Sequence, residues 1–247
     1  MGNWLLRRPP ADAQSLLFVF PYAGGGAGSY REWPTKIGDA WVCAVQPPGR
    51  ENRLSEPAFR THAEFGASLA EFLEPYTDRR YAFFGHCGGV PFALTTILAL
   101  ADRALPLPER LFASSWGAPH RSLYGPLNFI DLASADLVRE VTGMYAKSGA
   151  PIRSDFTQIA AQVLRADLEA HRPWLYDADR RVPCPVSVLS WDQDDVVPPQ
   201  QVHPHWGECA DATHTRLNGE HFEFLRCPPD LRRVLAGERS HQETASA

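Results

Sequence analysis

A cysteine between glycines, placed where an apolar stretch gives way to a helical one, constrains the fold of this chain most. The run Tyr81–Phe84 is typical of a strand, and Gly89–Leu100 is predicted to be a helix. Between them lies the segment 85–89, GHCGG. A strand that leads directly into a helix strains the turn and exposes its central side chain, and flanking glycines let the two segments approach closely. The pattern predicts a nucleophilic Cys87, whereas the alternative is a buried cysteine beside a glycine turn.

Apolar runs alternate with helical patterns along the rest of the chain. The predicted strands are Leu16–Phe20, Trp41–Gln46, Tyr81–Phe84, Arg110–Ser115, Val186–Trp191 and Thr213–Leu217. The predicted helices are Ala63–Leu73 (with Thr61 as its cap), Gly89–Leu100, one after Pro199 and one near Leu231–Leu235. We expect the polar tail from Gly237 onwards to fray. The alternation predicts an α/β fold, with a mostly parallel sheet covered by helices on both faces.

One connection is far longer than the others. Roughly seventy residues separate the strand near Ser115 from the strand that begins near Val186, more than an ordinary connection needs. Two amphipathic patterns lie in it: Leu132, Leu137, Val138, Val141, Met144 and Tyr145, then Phe156, Ile159, Ala160, Val163, Leu164 and Leu168. We interpret them as a helical lid inserted at residues 117–181, over a core formed by residues 1–116 and 182–247. A pair of crossover helices in the core is the alternative.

Composition and the first residues exclude several classes of protein. The chain has 247 residues and a net charge of -5, so no basic surface for nucleic acid is expected. No apolar run is long enough to cross a bilayer, and the first residues lack a secretory signal. The five cysteines show no C-x-x-C spacing, and their odd number argues against a disulfide framework. We expect a cytoplasmic monomer that binds neither nucleic acid nor membrane, with Cys43, Cys184, Cys209 and Cys227 as buried thiols.

An acid and a histidine follow the cysteine in the order that enzymes with such a turn use. Three carboxylates, Asp192, Asp194 and Asp195, come directly after the fifth predicted strand. Asp194 is preferred because a proline follows it four residues later, while Asp192 and Asp195 stay open. His221 lies on a turn after the last predicted strand. Because cysteine and histidine form a thiolate–imidazolium pair, a triad of Cys87, Asp194 and His221 is predicted to attack acyl carbonyl groups.

The tetrahedral oxyanion of such a reaction needs two backbone N–H donors. Gly88, at the start of the helix after the cysteine, is predicted to supply one. Ala23, in the loop after the first strand, is chosen for the other. The glycines of that loop, residues 24–26, also have an alternative interpretation as a phosphate cradle. Ser29 stands at the third glycine position of the dinucleotide pattern and no G-K-[ST] occurs, which argues against nucleotide binding.

The other histidines have weaker claims to a function. His86 lies in the glycine-flanked turn but has to point away from its neighbour's sulfur. His203 and His205 suggest a metal pair, but two ligands on a proline-rich loop are more often plain surface, and no H-E-x-x-H occurs. We therefore predict no metal site.

Six short stretches give the chain a specific resemblance. They are FPYAGG at 20–25, QPPGRENR at 46–53, EP at 56–57, FGHC at 84–87, LRADL at 164–168 and GEHF at 219–222. In this order they resemble the type II thioesterases of nonribosomal peptide and polyketide assembly lines, which have the α/β-hydrolase fold. The resemblance implies an enzyme that docks acyl- or peptidyl-carrier proteins, accepts their phosphopantetheine arm and removes stalled acyl groups, with no separate cofactor. It also implies that the triad and the oxyanion pair are the residues named above.

The chain departs from the family pattern at three positions. Most members have serine in place of Cys87 and methionine in place of Gly88, and glycine often stands at the position of Trp191. A cysteine acyl-enzyme is itself a thioester, nearly level in energy with the pantetheine thioester it came from. We therefore expect a thioesterase, with an acyltransferase that shuttles acyl or aminoacyl groups between two carrier proteins as the alternative. A dienelactone-hydrolase-like enzyme and a binding module without activity are more remote.

Overall fold

The computed structural model describes residues 4–149 and 152–237, which contain a seven-stranded sheet. The strands are β1 Ser15–Phe20, β2 Lys36–Ile37, β3 Ala40–Ala44, β4 Arg80–His86, β5 Leu111–Ser114, β6 Val186–Trp191 and β7 Ala212–Leu217. Their order in the sheet is β2-β3-β1-β4-β5-β6-β7, with β2 antiparallel to β3 and the other neighbours parallel. The predicted α/β fold with a mostly parallel sheet is confirmed.

The α-helices agree with the predicted ones except at short elements. They are α1 His62–Leu73, α2 Gly89–Asp102, α3 Leu137–Lys147, α4 Ser154–His171, α5 Pro199–Val202, α6 Trp206–Cys209 and α7 Pro229–Leu235. Thr61 caps α1, because its Oγ1 accepts a hydrogen bond from the N–H of Glu64 at 3.2 Å. The sequence did not predict β2 or α6, since elements this short show no periodicity. Beyond Gly237, the tail that we expect to fray lies outside the described residues.

Both faces of the sheet are buried, as the side chains of β1 show. Successive side chains of a strand point to opposite faces. Leu16, Phe18 and Phe20 belong to a hydrophobic cluster with α1 and α2, while Leu17 and Val19 belong to another with α7. Burial on both faces explains why this strand is a continuous apolar run in the sequence.

The segment between β5 and β6 carries α3 and α4, so both amphipathic patterns fall on helices. Their apolar side chains form a third cluster, distinct from the two on the sheet: Leu132, Leu137, Val141, Ala160, Ala161, Leu164 and Leu168. Ala23, in the loop after β1, packs against this cluster. The segment therefore lies against the carboxyl end of β1. Its division from the core at residues 117 and 181, and its role as a lid, stay predictions. Across the described residues, no helix is long and apolar enough to span a membrane.

Candidate active site

Cys87 lies on a tight turn between β4 and α2. Its φ of 49° is in the left-handed region, which is strained for a residue with a side chain. Its backbone N–H donates to the carbonyl oxygen of Ser114 at 2.8 Å, which anchors the turn to β5. A Cβ on Gly85 would lie 2.8 Å from the carbonyl carbon of Gly89, so glycine is needed where the strand and the helix cross. The strand–turn–helix thus holds a partly exposed thiol at its tip.

Asp194 and His221 meet at the same edge of the sheet. Asp194 follows β6 and His221 follows β7, and the carboxyl ends of parallel strands lie side by side. Nδ1 of His221 is 2.9 Å from each carboxylate oxygen of Asp194. Both side chains are buried. The structure therefore brings the two predicted partners of the cysteine into direct contact.

The carboxylate of Asp194 accepts hydrogen bonds from several donors. Besides His221, the hydroxyl of Ser115 donates to it at 2.7 Å, and the backbone N–H groups of Val196 and Val197 donate at 2.9 and 2.8 Å. Burial raises the pKa of Asp194, but these hydrogen bonds lower it further than burial raises it, to about 2. Asp194 is consequently ionised at neutral pH and can stabilise a charged imidazole.

The two competing carboxylates have other partners. Asp192 Oδ1 accepts from the backbone N–H of Gly219 at 2.9 Å, which positions the loop that carries His221. Asp195 is exposed and pairs with Lys147 of α3 at 2.6 Å. Of the three carboxylates, Asp194 is the one that contacts His221.

The charge of His221 is set by its two neighbours. Burial lowers its pKa, but the hydrogen bond to Asp194 and the neighbouring sulfur of Cys87 outweigh burial and raise the pKa to about 9. The imidazole is therefore protonated at neutral pH. A charged imidazole beside a thiol is the arrangement that stabilises a thiolate, which is the nucleophilic form of cysteine.

The two residues predicted to supply the oxyanion donors lie close to each other. Residues 22–25 form a β-turn closed by the N–H of Gly25, which donates to the carbonyl oxygen of Tyr22 at 2.9 Å. Gly24 has a φ of 81° in this turn, and Ala23 precedes it. Gly88 caps the N-terminus of α2, where helical N–H groups lack intrahelical partners. The backbone nitrogen of Ala23 lies 3.1 Å from the point that a Cβ on Gly88 would occupy.

A cavity of about 870 Å³, part of it open to solvent, lies over these groups. Cys87, Gly88, His221 and Ala23 form its floor. Its walls are mostly apolar and come from the core and from the α3–α4 segment: Tyr22, Leu127, Met144, Leu168, Val196 and Phe222. The cavity suits an apolar chain whose polar end lies at the cysteine.

His86 and the other four cysteines do not reach the cavity. His86 is fully buried, hydrogen-bonds Ser114 Oγ at 2.9 Å and stacks on Phe224. Its ring also lies edge-on to that of His221, at 4.6 Å between centroids. Burial raises the pKa of the thiols of Cys43, Cys184, Cys209 and Cys227 to about 12, 12, 11 and 12.

The histidines of the proline-rich loop form separate hydrogen bonds. His203 bonds Ser190 Oγ at 2.7 Å, and His205 bonds Glu208 at 2.8 Å. Among the described residues, no group of three or more His, Cys, Asp or Glu side chains could hold a metal ion. Four other buried polar residues have no role that the sequence predicted: Arg50, Asp167, His62 and His171.

Comparison with known proteins identifies the family. The thioesterase domain family matches residues 15–226. Linear gramicidin dehydrogenase LgrE of Brevibacillus parabrevis is 32% identical over 235 residues, which cover 90% of this chain and 86% of that protein. Thioesterase PikA5 of Streptomyces venezuelae is 28% identical over 205 residues, covering 81% and 72% of the two chains.

Solved structures agree with these matches. The RedJ thioesterase from the prodiginine biosynthetic pathway in Streptomyces coelicolor is 31% identical, covers 93% of this chain and 86% of its own, and gives a TM-score of 0.75. The type II thioesterase BorB from the borrelidin biosynthetic cluster gives a TM-score of 0.79 at 24% identity, with 95% and 97% coverage, and supports the fold. The α/β-hydrolase fold of the thioesterase type is thereby confirmed, and this chain belongs to the thioesterase family.

Proposed function

We propose that this chain is a type II thioesterase of a nonribosomal peptide or polyketide pathway. Its substrates are acyl or aminoacyl groups held as phosphopantetheine thioesters on acyl- or peptidyl-carrier proteins. The observation that carries the proposal is the contact of His221 with Asp194 beside Cys87, on the floor of an apolar cavity. The PikA5 thioesterase and the RedJ thioesterase of the prodiginine biosynthetic pathway, to which this chain is similar, support the proposal.

In the proposed reaction, the sulfur of Cys87 attacks the carbonyl carbon of the thioester. The N–H groups of Ala23 and Gly88 stabilise the oxyanion that forms. The bond from that carbon to the pantetheine sulfur then breaks, and His221 gives its proton to the departing thiolate. The products are a free carrier thiol and an acyl group bound to Cys87 as a thioester. Asp194 keeps His221 oriented and charged until that transfer.

Release of the acyl group reverses these roles. Neutral His221 takes a proton from water, the hydroxide attacks the acyl carbonyl, and the bond to Cys87 breaks to give a free acid and the thiolate. The chemistry needs no cofactor, because the phosphopantetheine arm belongs to the carrier. The relatives named as thioesterases favour release to water over transfer to a second carrier.

We propose that residues 117–181, the segment that carries α3 and α4, act as a lid over the cavity. Leu127, Met144 and Leu168 of this segment line the cavity. They offer an apolar surface to the acyl chain. Movement of the segment would open a path for the pantetheine arm to the thiol.

Product analysis with a loaded carrier protein tests the proposal. A radiolabelled acyl carrier is mixed with the enzyme, with and without a second carrier that has a free thiol. We expect labelled free acid at the same rate in both cases, and loss of this activity in Cys87→Ala. Cys43→Ala, which removes a buried thiol of β3, is the matched control and should remain active. Label on the second carrier would show that the enzyme transfers the acyl group and does not hydrolyse it. Full activity of Cys87→Ala would overturn the mechanism.

A further inference from the structure

Two sequence motifs that are 117 residues apart meet through a buried ion pair. Arg50 lies in the QPPGRENR stretch and Asp167 in the LRADL stretch of α4. The guanidinium donates twice to the carboxylate, at 2.9 and 2.6 Å, and the two residues are 5% and 2% exposed. Removing both charges from water costs free energy that the ion pair only partly recovers. We therefore looked for a role of this pair other than stabilising the fold.

The same two side chains hold the turn that presents Ala23. Asp167 Oδ2 accepts from the N–H of Gly24 at 2.8 Å. Arg50 Nη1 donates to the carbonyl oxygen of Gly25 at 2.8 Å. Asp167 thus holds the peptide group that joins Ala23 to Gly24, and Arg50 holds the carbonyl group of Gly25 in the same turn. The ion pair between Arg50 and Asp167 in turn fixes both side chains.

One turn further along α4, His171 packs against the second candidate donor. A Cβ on Gly88 would lie 2.7 Å from Nε2 of His171, so the ring occupies the space that a side chain at position 88 would need. His171 is fully buried, and its Nδ1 hydrogen-bonds Nε2 of His62 in α1 at 2.7 Å. His62 in turn lies 3.3 Å from Thr95 Oγ1 in α2, the helix that Gly88 caps.

Asp167 and His171 are four residues apart and therefore share one face of α4. Leu164 and Leu168 share that face, and Leu164 lies 3.3 Å from the position of a Cβ on Gly24. One face of α4 thus contacts both the turn after Ala23 and the backbone of Gly88, the two places that are proposed to bind the oxyanion. That helix belongs to the segment between β5 and β6 and not to the sheet layer.

We propose that Asp167, His171 and Arg50 are positioning residues for the oxyanion donors, and that acyl transfer requires α4 to be seated on them. This inference rests on the proposed function, since it assumes acyl chemistry at Cys87. Asp167 and Arg50 set the donor at Ala23, and His171 sets the donor at Gly88. If α4 moves away with the α3–α4 segment, the backbone around Ala23 and Gly88 loses these contacts. Cys87, Asp194 and His221 follow strands of the sheet and keep their positions.

The size of the expected effect follows from how sharply catalysis depends on geometry. A misplacement of about 1 Å can cost about 10²-fold in rate. Loss of one oxyanion donor costs about 10²- to 10³-fold. Asp167→Asn removes the charge that fixes Arg50 and weakens the hold on Gly24. We expect it to lower the rate of acylation by about 10²-fold.

Two reagents separate the positioning role from a structural one. Acylation of Cys87 by p-nitrophenyl butyrate forms an oxyanion, whereas alkylation by iodoacetamide forms none. In Asp167→Asn and Arg50→Lys we expect slow acylation with alkylation unchanged within about twofold. The double variant Arg50→Gln with Asp167→Asn leaves no unpaired buried charge and should behave in the same way. Glu169→Gln is the matched control, because Glu169 is an exposed carboxylate on the same helix.

Two single variants test the His171 contact. Gly88→Ala adds a Cβ that collides with Nε2 of His171 and with the Cβ of Ala23, so it should slow acylation more than alkylation. His171→Ala removes the ring that packs against Gly88, and it should slow acylation by about 10²-fold while alkylation stays unchanged. Acylation of His171→Ala at the wild-type rate would overturn the assignment of His171.

The acylation and alkylation rates of these variants also distinguish the positioning role from a structural one and from failure of the proposed function. Equal losses of acylation and alkylation in the Arg50 and Asp167 variants would show that these residues serve the fold alone. Unchanged acylation in all of them would overturn the inference and leave the proposed function intact. If the wild-type chain itself is alkylated at Cys87 but never acylated there, it is the proposed function that fails.

Discussion

The substitution Asp194→Asn isolates the charge that holds His221 protonated. The amide has the shape of the carboxylate, and its carbonyl oxygen can still accept from the N–H groups of Val196 and Val197, so we expect the fold to persist. What is lost is a negative charge 2.9 Å from Nδ1 of His221. The pKa of His221 is about 9 and its ordinary value is 6.5, a difference equivalent to about 3 kcal/mol in favour of the imidazolium.

Burial is the largest single influence on His221 and lowers its pKa, so we expect the pKa to fall in the variant, where Cys87 alone opposes burial. We expect the imidazole of the variant to be neutral at pH 7.5, where that of the wild type is charged. Iodoacetamide alkylation of Cys87 as a function of pH reports the change. The wild type should react rapidly at neutral pH, while the variant should react slowly there and accelerate only in alkaline solution. Acylation by a thioester should fall by about 10³- to 10⁴-fold, the usual cost of a misoriented catalytic histidine.

Asp192→Asn and Asp195→Asn are the controls for this experiment. Asp195 is exposed, so its variant should retain the wild-type pH profile. Asp192 holds the backbone of Gly219, so its variant should lose activity modestly without changing the profile. An unchanged profile in Asp194→Asn, combined with a severe loss in either control, would refute the assignment of the acid.

Three further predictions concern the cysteine thiols, the buried histidines and the α3–α4 segment. Iodoacetamide should label Cys87 first among the five cysteines, as peptide mapping would show, because burial raises the pKa of the other four; faster labelling of another would contradict this. The free energy of unfolding, from urea titrations, should fall as the pH drops from 6.5 to 4.5. Burial holds the pKa of His62, His86 and His171 below 6.5 in the folded state, so the unfolded chain takes up protons first. A flat profile would show that these rings are not buried neutral. Hydrogen exchange should be faster in α3 and α4 than in the central strands and slower with an acyl-pantetheine mimic bound, and uniform exchange would count against a lid.

The parts of the site that the sequence could predict are those encoded in contiguous residues. The turn at Cys87 follows from a strand, a nucleophile and a helix in immediate succession, and the bounds of β6, Val186–Trp191, agree with the predicted strand. The sequence also supplied the order of acid and histidine. It could not decide among three neighbouring carboxylates, because that choice depends on donors such as Ser115, which lies 79 residues away.

The support of the oxyanion turn could not be predicted, because it depends on contacts between distant segments. Arg50 and Asp167 are 117 residues apart, and His62 and His171 are 109 apart. One signal was available in the sequence. Asp167 interrupts the apolar face of α4 beside Leu168, and a charged residue on a buried face usually has a specific partner.

The central claim is that Cys87 carries the acyl group, and intact mass spectrometry tests it most directly. Wild-type protein is mixed with an acyl-pantetheine thioester and quenched in acid at short times. We predict a transient increase by the mass of one acyl group, located on Cys87 by peptide mapping and removed by hydroxylamine at neutral pH. Cys87→Ala should show no such species, and Cys87→Ser should form an oxyester instead. An acyl group on a different residue, or full turnover by Cys87→Ala, would contradict the account.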